Sequence, residues 1–419
     1  MSKVPAGWEV KLLGELFPKI VVGYVGNVNN YYCSSTTGVP FYRTLNIRNG
    51  FFRKNEVVYV TKEFHKANKK SQIFNQDILI ARVGANLGMV CKVEGLETEA
   101  NIANAIIIKA TKSYNSDFYT AFLLSKEGRD QIFSGAAGGA QGVFNTKLAQ
   151  KISVPVPPLP EQTKIAQILS TWDKAIATTE KLIGNSQQQK KALMQSLLTG
   201  KKRLPGFEGE WLSEELGSLG ETYSGLTGKT KEDFGSGYPY ISYMNVYKNT
   251  EINIDFSEKV NIGPKENQSR VSYGDIFFTT SSETPEEVGM SSVLLSHIED
   301  TYLNSFCFGY RLFTFEKVLP EFCKFVFRGD EMRRKISKLA QGATRYNLSK
   351  KRLMLLRIVL PPLPEQQKIA AVLTAADNEI ELLQKKLAFL KQEKAALMQQ
   401  LLTGKRRVEI DTTEECMDA

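Results

Sequence analysis

Histidine is almost missing from this chain, with only His65 and His297 in 419 residues. The five cysteines, Cys33, Cys91, Cys307, Cys323 and Cys416, are odd in number, widely spaced and free of any C-x-x-C. No zinc cluster can be assembled at a recognised spacing from such a set, and free thiols in a reducing compartment are expected. Long apolar runs are lacking too. The start MSKVPAGWEVKLLGELF has no signal-peptide core, and the one long uncharged stretch, Ile20 to Tyr42, is full of Asn, Ser, Thr and Gly, so a cytoplasmic chain without a membrane span is expected. Catalytic signatures are also absent: there is no G-x-S-x-G, H-E-x-x-H or EF-hand pattern, and no Asn-Pro-Pro-aromatic tetrapeptide of the kind adenine methyltransferases use. Gly228, Lys229 and Thr230 spell a GKT, but Tyr223 stands where a P-loop needs its first glycine, so a plain glycine turn is expected there. The run SGAAGGAQG (134 to 142) reads as a helix stop and loop.

What is present is basic charge and repetition. The formal net charge is +9, and the acidic tail, residues 408 to 419, masks a still larger basic excess in the rest of the chain. That balance favours polyanionic partners, nucleic acid above all. A length of 419 residues is too great for one ordinary core, so two or more modules are expected.

The modules are copies of each other. PPLPEQ occurs at Pro157 to Gln162 and at Pro361 to Gln366, and LLTGK at Leu197 to Lys201 and Leu401 to Lys405. Positions 157 to 203 align with 361 to 407 without a gap, and 25 of the 47 pairs are identical. Upstream the match decays to echoes: Trp8 with Trp211, LGEL (13 to 16) with LGSL (216 to 219), VPFYRTLNI (39 to 47) with YPYISYMNV (238 to 246), and QDILI (76 to 80) with GDIFF (274 to 278). Each copy thus has a variable front and a well-matched back.

The backs read as long helices. Pro160 and Pro364 suit a helix entry, Glu161 and Glu365 the positive end of the helix dipole, and Gly200 and Gly404 a C-terminal stop. In the second copy Ile369, Leu373, Ile380, Leu383, Leu387, Leu390, Leu397 and Leu401 fall on a 4-3 seam. The first copy carries Ile165, Leu169, Trp172, Ile176, Ile183, Leu193 and Leu197 on the same seam, with Lys190 and Lys394 interrupting it at equivalent positions. Helices with so polar a seam are expected to pair, and copies that remain equivalent must pair antiparallel, over roughly 55 to 60 Å. The fronts carry strand-like pieces, QIFNQDILIARV, ANAIIIKA, DIFFTT and FGYRLFTF, and in each front these are followed by one amphipathic helix, around 117 to 134 or 321 to 339. The fold class expected is therefore α+β: two pseudo-repeated α/β domains (1 to 156 and 204 to 360), separated by two long antiparallel coiled-coil helices (157 to 203 and 361 to 407).

Binding chemistry remains. Tyr31, Arg43, Asn46, Arg48, Lys62, Lys69, Lys70 and Arg82 are the candidate DNA contacts of the first front, and Tyr240, Tyr243, Asn245, Lys248, Arg270 and Arg345 those of the second. Arg and Asn can bind guanine and adenine edges bidentately, and Lys can hold phosphates. Aromatics that alternate along strands equally serve a core.

The doubled PPLPEQ to LLTGK frame, each copy preceded by a variable region, resembles the specificity (S) subunit of type I restriction-modification enzymes. That resemblance implies a DNA reader without catalytic activity, whose two fronts are target recognition domains for the two halves of a split double-stranded DNA sequence. It also implies that the paired helices form a spacer, and that methylation subunits, two being expected, dock on the chain together with restriction subunits. No cofactor is expected in this chain. S-adenosylmethionine, ATP and Mg would be used by the partner subunits. Rival readings are a modification-only system, a self-contained nuclease or nucleotide hydrolase using Gly228, Lys229 and Thr230, and a structural coiled-coil DNA-binding protein.

Overall fold

The computed structural model describes residues 4–136, 143–255 and 258–410. Residues 137 to 142 of the helix stop and loop expected over 134 to 142, Cys416 and most of the acidic tail lie outside the described residues. The chain divides into two compact units, one of residues 1–180 and 386–419 and the other of residues 181–385.

In the first unit a four-stranded antiparallel sheet runs in the order Ile20–Val22, Ala105–Ile108, Ile78–Ala81, Val90–Lys92. Its two central strands, AIII and ILIA, are buried at every residue, which explains why they read as continuous apolar runs and do not alternate. A second sheet runs Val58–Val60, Val39–Tyr42, Ala100–Ile102, Gln72–Ile73, and in it Val39–Tyr42 lies parallel to Ala100–Ile102. The second unit repeats this arrangement with one strand fewer in its second sheet. Its four-stranded sheet runs Gly220–Ser224, Cys307–Leu312, Ile276–Thr279, Ser291–Val293, and its smaller sheet Lys259–Val260, Phe234–Ile241, Tyr302–Leu303, with the last two again parallel. Asp77 and Asp275 open equivalent buried strands and accept from the backbone N–H three residues earlier, Phe74 and Ser272.

Where one amphipathic helix per front was expected, there are two. Ser116–Leu124 is followed by Lys126–Ala136, and Pro320–Val326 by Asp330–Ser337. The break in the first pair is at Ser125, whose backbone is extended and whose hydroxyl accepts from the Gly128 N–H, so a polar side chain caps a new helix in mid-run. Gly329 holds an extended backbone at the same point of the second pair.

Each back is one helix of 39 residues, Leu159–Leu197 and Leu363–Leu401. Both stop where Gly200 and Gly404 turn into the left-handed region (φ +69° and +72°). Within the first unit, Ile165, Leu169 and Leu401 are buried in the same apolar cluster as Trp8, Phe118 and Leu123, with Leu397 packed against it. Leu197, Ile369 and Leu373 join Phe278, Phe322 and Leu353 in the second unit, with Leu193 packed alongside. The remaining seam residues, Trp172, Ile176, Ile183, Ile380, Leu383, Leu387 and Leu390, are all half-buried, whereas Leu182, Leu382 and Phe389 off the seam are exposed.

Candidate nucleic-acid interface

The seam lysines have partners that the sequence pattern concealed. Lys394 pairs with Asp173 and Lys391 with Glu180 in the first unit, while Lys190 pairs with Asp377 and Ser186 hydrogen-bonds Glu379 in the second. As one partner number rises the other falls, so the halves run antiparallel in each unit. Positions 173 and 190 become 377 and 394 on adding the repeat offset, so each unit carries the same cross-helix ion pair.

The PPLPEQ motif also proves to be more than a helix entry. Glu161 is 2% exposed and accepts from Arg407 Nε at 2.8 Å, from Arg407 Nη2 and from Trp8 Nε1 at 3.0 Å. Glu365, fully buried, is held in the same way by Arg203 Nε and Nη2, both at 2.6 Å, and by Trp211 Nε1 at 3.2 Å. The neighbouring glutamines fasten the helix to the front: Gln162 accepts from the Asn115 N–H and Gln366 from the Leu319 N–H. Glu161 and Glu365 do lie in the first turns of their helices, where the dipole favours an acid, and they take on a second role. Each is the centre of a clip joining the start of one helix, the basic end of the other and the N-terminal tryptophan of its unit.

The candidate DNA contacts fall into two groups. Asn46 is fully buried; its Oδ1 accepts from the Arg43 N–H, and its Nδ2 donates to the Arg53 and Asn55 carbonyls. Asn245, its counterpart in the second copy, donates to the Asn253 carbonyl and accepts from the Asn253 N–H. Both amides brace a following loop. Arg48 is committed to Asn86 Oδ1 at 2.8 Å, and the Tyr243 hydroxyl donates to the Ser281 carbonyl. By contrast Lys62, Lys69, Lys70, Lys248 and Arg345 are exposed and form no ion pair among the described residues. Arg270 is exposed beside Asp300 at 3.0 Å, and Tyr240 is half-buried with its ring against Phe234. Tyr31 is exposed, its ring packed on Phe64, while Arg43 and Arg82 are half-buried, each with a buried Nε that has no partner among the described residues.

Structural arginines account for other basic residues. Arg328 donates to the carbonyls of Ser291, Val246, Tyr247 and Asn249, and burial lowers its pKa to about 10. Lys229 of the GKT is buried and donates to the Asn261 carbonyl and to Glu266, whose carboxyl it pulls down to about 2. That lysine is occupied by its own loop. Among the described residues no group of three metal-ligating side chains occurs, and no helix is long and apolar enough to cross a membrane.

Two α/β units whose larger sheets share one strand order, each built on a pair of helix halves and differing in exposed basic and aromatic side chains, define a doubled recognition module. The sequence matches the family described as Type I restriction modification DNA specificity domain, once over residues 5–185 and again over 208–392, and the chain belongs to that family. Its members are recognition subunits and not enzymes. The chain is 26% identical over 441 residues to the MjaVIII specificity subunit of Methanocaldococcus jannaschii, covering 97% of this chain and 94% of that one. It is also 26% identical to the EcoKI specificity subunit of Escherichia coli, covering 79% of this chain and 74% of the relative. Among solved structures, the S subunit from M. genitalium aligns with a TM-score of 0.56 at 13% identity (96% and 97% of the two chains). The HsdS subunit from Thermoanaerobacter tengcongensis aligns with a TM-score of 0.51 at 17% identity (96% and 98%).

Proposed function

We propose that this specificity subunit binds a split, asymmetric double-stranded DNA sequence, with residues 1–156 and 204–360 as the two target recognition domains and the helices of 157–203 and 361–407 as the spacer. The observation that carries this is the contrast within the repeat. The strand order of the larger sheet, the clips and the Lys–Asp pair of the seam are the same in both copies, whereas the exposed side chains of the fronts differ. Identical scaffolds with different surfaces suit two half-sites of different sequence. Exposed lysines supply salt-dependent affinity for phosphates, and the diverged residues supply choice. Methylation subunits, two per complex, and restriction subunits dock on the chain in the cytoplasm, and they bring S-adenosylmethionine, ATP and Mg. Sequencing of methylated adenines in cells that carry the chain with its methylation subunit tests the reading. One two-part motif with a fixed gap is expected; a continuous motif, or methylation without sequence preference, would overturn it.

A further inference from the structure

In the first unit the parallel strands Val39–Tyr42 and Ala100–Ile102 end side by side, and a recess of about 320 Å3 opens beyond their carboxyl ends, lined by Tyr24, Asn27, Tyr32, Phe41, Arg43 and Asn104. Such a position, past the ends of adjacent parallel strands, is where α/β sheets receive ligands. Three features converge there. The Arg43 guanidinium makes one hydrogen bond among the described residues, from Nη2 to the Glu56 carbonyl at 3.1 Å, and its Nε is buried without a partner. Asn104 holds a left-handed backbone (φ +52°), fixed by its N–H donating to the Tyr24 carbonyl and its own carbonyl accepting from the Arg82 N–H. The helix Lys62–Ala67 packs against two of the lining rings: its buried Phe64 meets Tyr24 (4.8 Å) and Phe41 (5.7 Å), while Lys62 and Lys66 on the same helix are exposed.

The second unit supplies a comparison inside the same chain. Ala103 N–H donates to the Tyr42 carbonyl as Asn304 N–H donates to that of Ile241, and Tyr24 N–H donates to the Ile102 carbonyl as Leu226 N–H donates to that of Leu303. The backbone is thus matched residue by residue, yet Ser242 stands where the first unit has Arg43, and Leu226 where it has Tyr24. A side chain holding a phosphate would serve both half-sites alike, because the DNA backbone is the same in each. A side chain reading a base has to differ.

Resting on the DNA-reading function above, we infer that this recess is a base-reading site of the first recognition domain, in which Arg43 donates to the acceptor edge of a guanine while Lys62 and Lys66 hold adjacent phosphates. Arg is suited to the paired O6 and N7 acceptors of that base. The test maps adenine methylation by the full complex carrying Arg43→Ser, Arg43→Lys or Lys62→Ala. Arg43→Ser is expected to relax one guanine position, with discrimination there falling about tenfold to hundredfold, and to leave the other half-site intact. Arg43→Lys should relax the same position, whereas Lys62→Ala should keep the motif and lower occupancy at every site. An unchanged motif for both Arg43 variants, or a uniform loss with selectivity retained, would make Arg43 a phosphate or structural contact and overturn the inference. If a variant methylates too little to map, its purified complex is titrated with four duplexes differing only at the guanine. Equal affinities then support base reading, and a retained guanine preference refutes it. A wild-type complex with no two-part motif would instead refute the proposed function.

Discussion

Truncating Arg407 to alanine should loosen the first unit through a residue some 400 positions away in sequence from the front it secures. Without the guanidinium, the Glu161 carboxylate keeps only the Trp8 indole among its three donors, and it stays buried. Each charge-assisted hydrogen bond lost is worth about 1.5 to 3 kcal/mol, and breaking a fully buried pair costs about 3 to 5 kcal/mol. Arg407 itself is 44% exposed, so water can replace part of what it supplied, and a cost of about 2 kcal/mol is expected. For a unit of this size that lowers the melting temperature by about 4 to 8 °C. Calorimetry of the full chain should show this for Arg407→Ala. The double variant Arg407→Ala with Glu161→Gln should lose clearly less than the sum of the single variants, because the second change removes the stranded charge. A single variant that melts with the wild type, or strictly additive losses, would refute the clip as a coupled unit.

Three further outcomes are expected. A fragment of residues 1–203 should form a homodimer, since Lys190, Leu193, Leu197 and Arg203 stand 204 positions before Lys394, Leu397, Leu401 and Arg407 and can supply the same contacts to the first unit; a monomer by light scattering would count against the exchange. Burial pushes the Cys91 and Cys307 thiols up to about 12 and raises that of Cys323 as well, so at pH 8 these three should resist maleimide until the chain unfolds, and rapid labelling of the folded chain would contradict the packing. Seven residues inserted into each long helix, after Glu180 and after Lys385, keep the seam in frame and add about 10 Å, so the gap in the methylated motif should lengthen by about three base pairs; an unchanged gap would remove the spacer role.

How far the sequence discloses this protein depends on where the partners of each residue lie. The long helices were legible because identity and a 4-3 apolar step occur together over 157 to 203 and 361 to 407. The lysines that interrupt the seam were legible as interruptions, but Asp173 and Asp377 were not legible as their partners, because the pairing depends on an antiparallel register between segments about 200 residues apart. The clip was hidden for the same reason. One signal was available, since both Glu161/Glu365 and Arg203/Arg407 survive among the 25 identities. The amides of Asn46 and Asn245 have the right chemistry for adenine, but the loop backbone groups they hold, at Arg53, Asn55 and Asn253, were not legible as their partners. Arg43, replaced by Ser242 in the second copy, carries the pattern that a reader of different half-sites needs. The helix break at Ser125 escaped the periodicity because the apolar face resumes in phase beyond it.

The central claim is that each front reads its own half-site. It is tested most directly by replacing residues 1–156 with the corresponding front of another specificity subunit and sequencing the methylated adenines made by the resulting complex. The account expects one half of the motif to change to that of the donor while the other half and the gap stay as they were. A motif altered in both halves, or in neither, would contradict it.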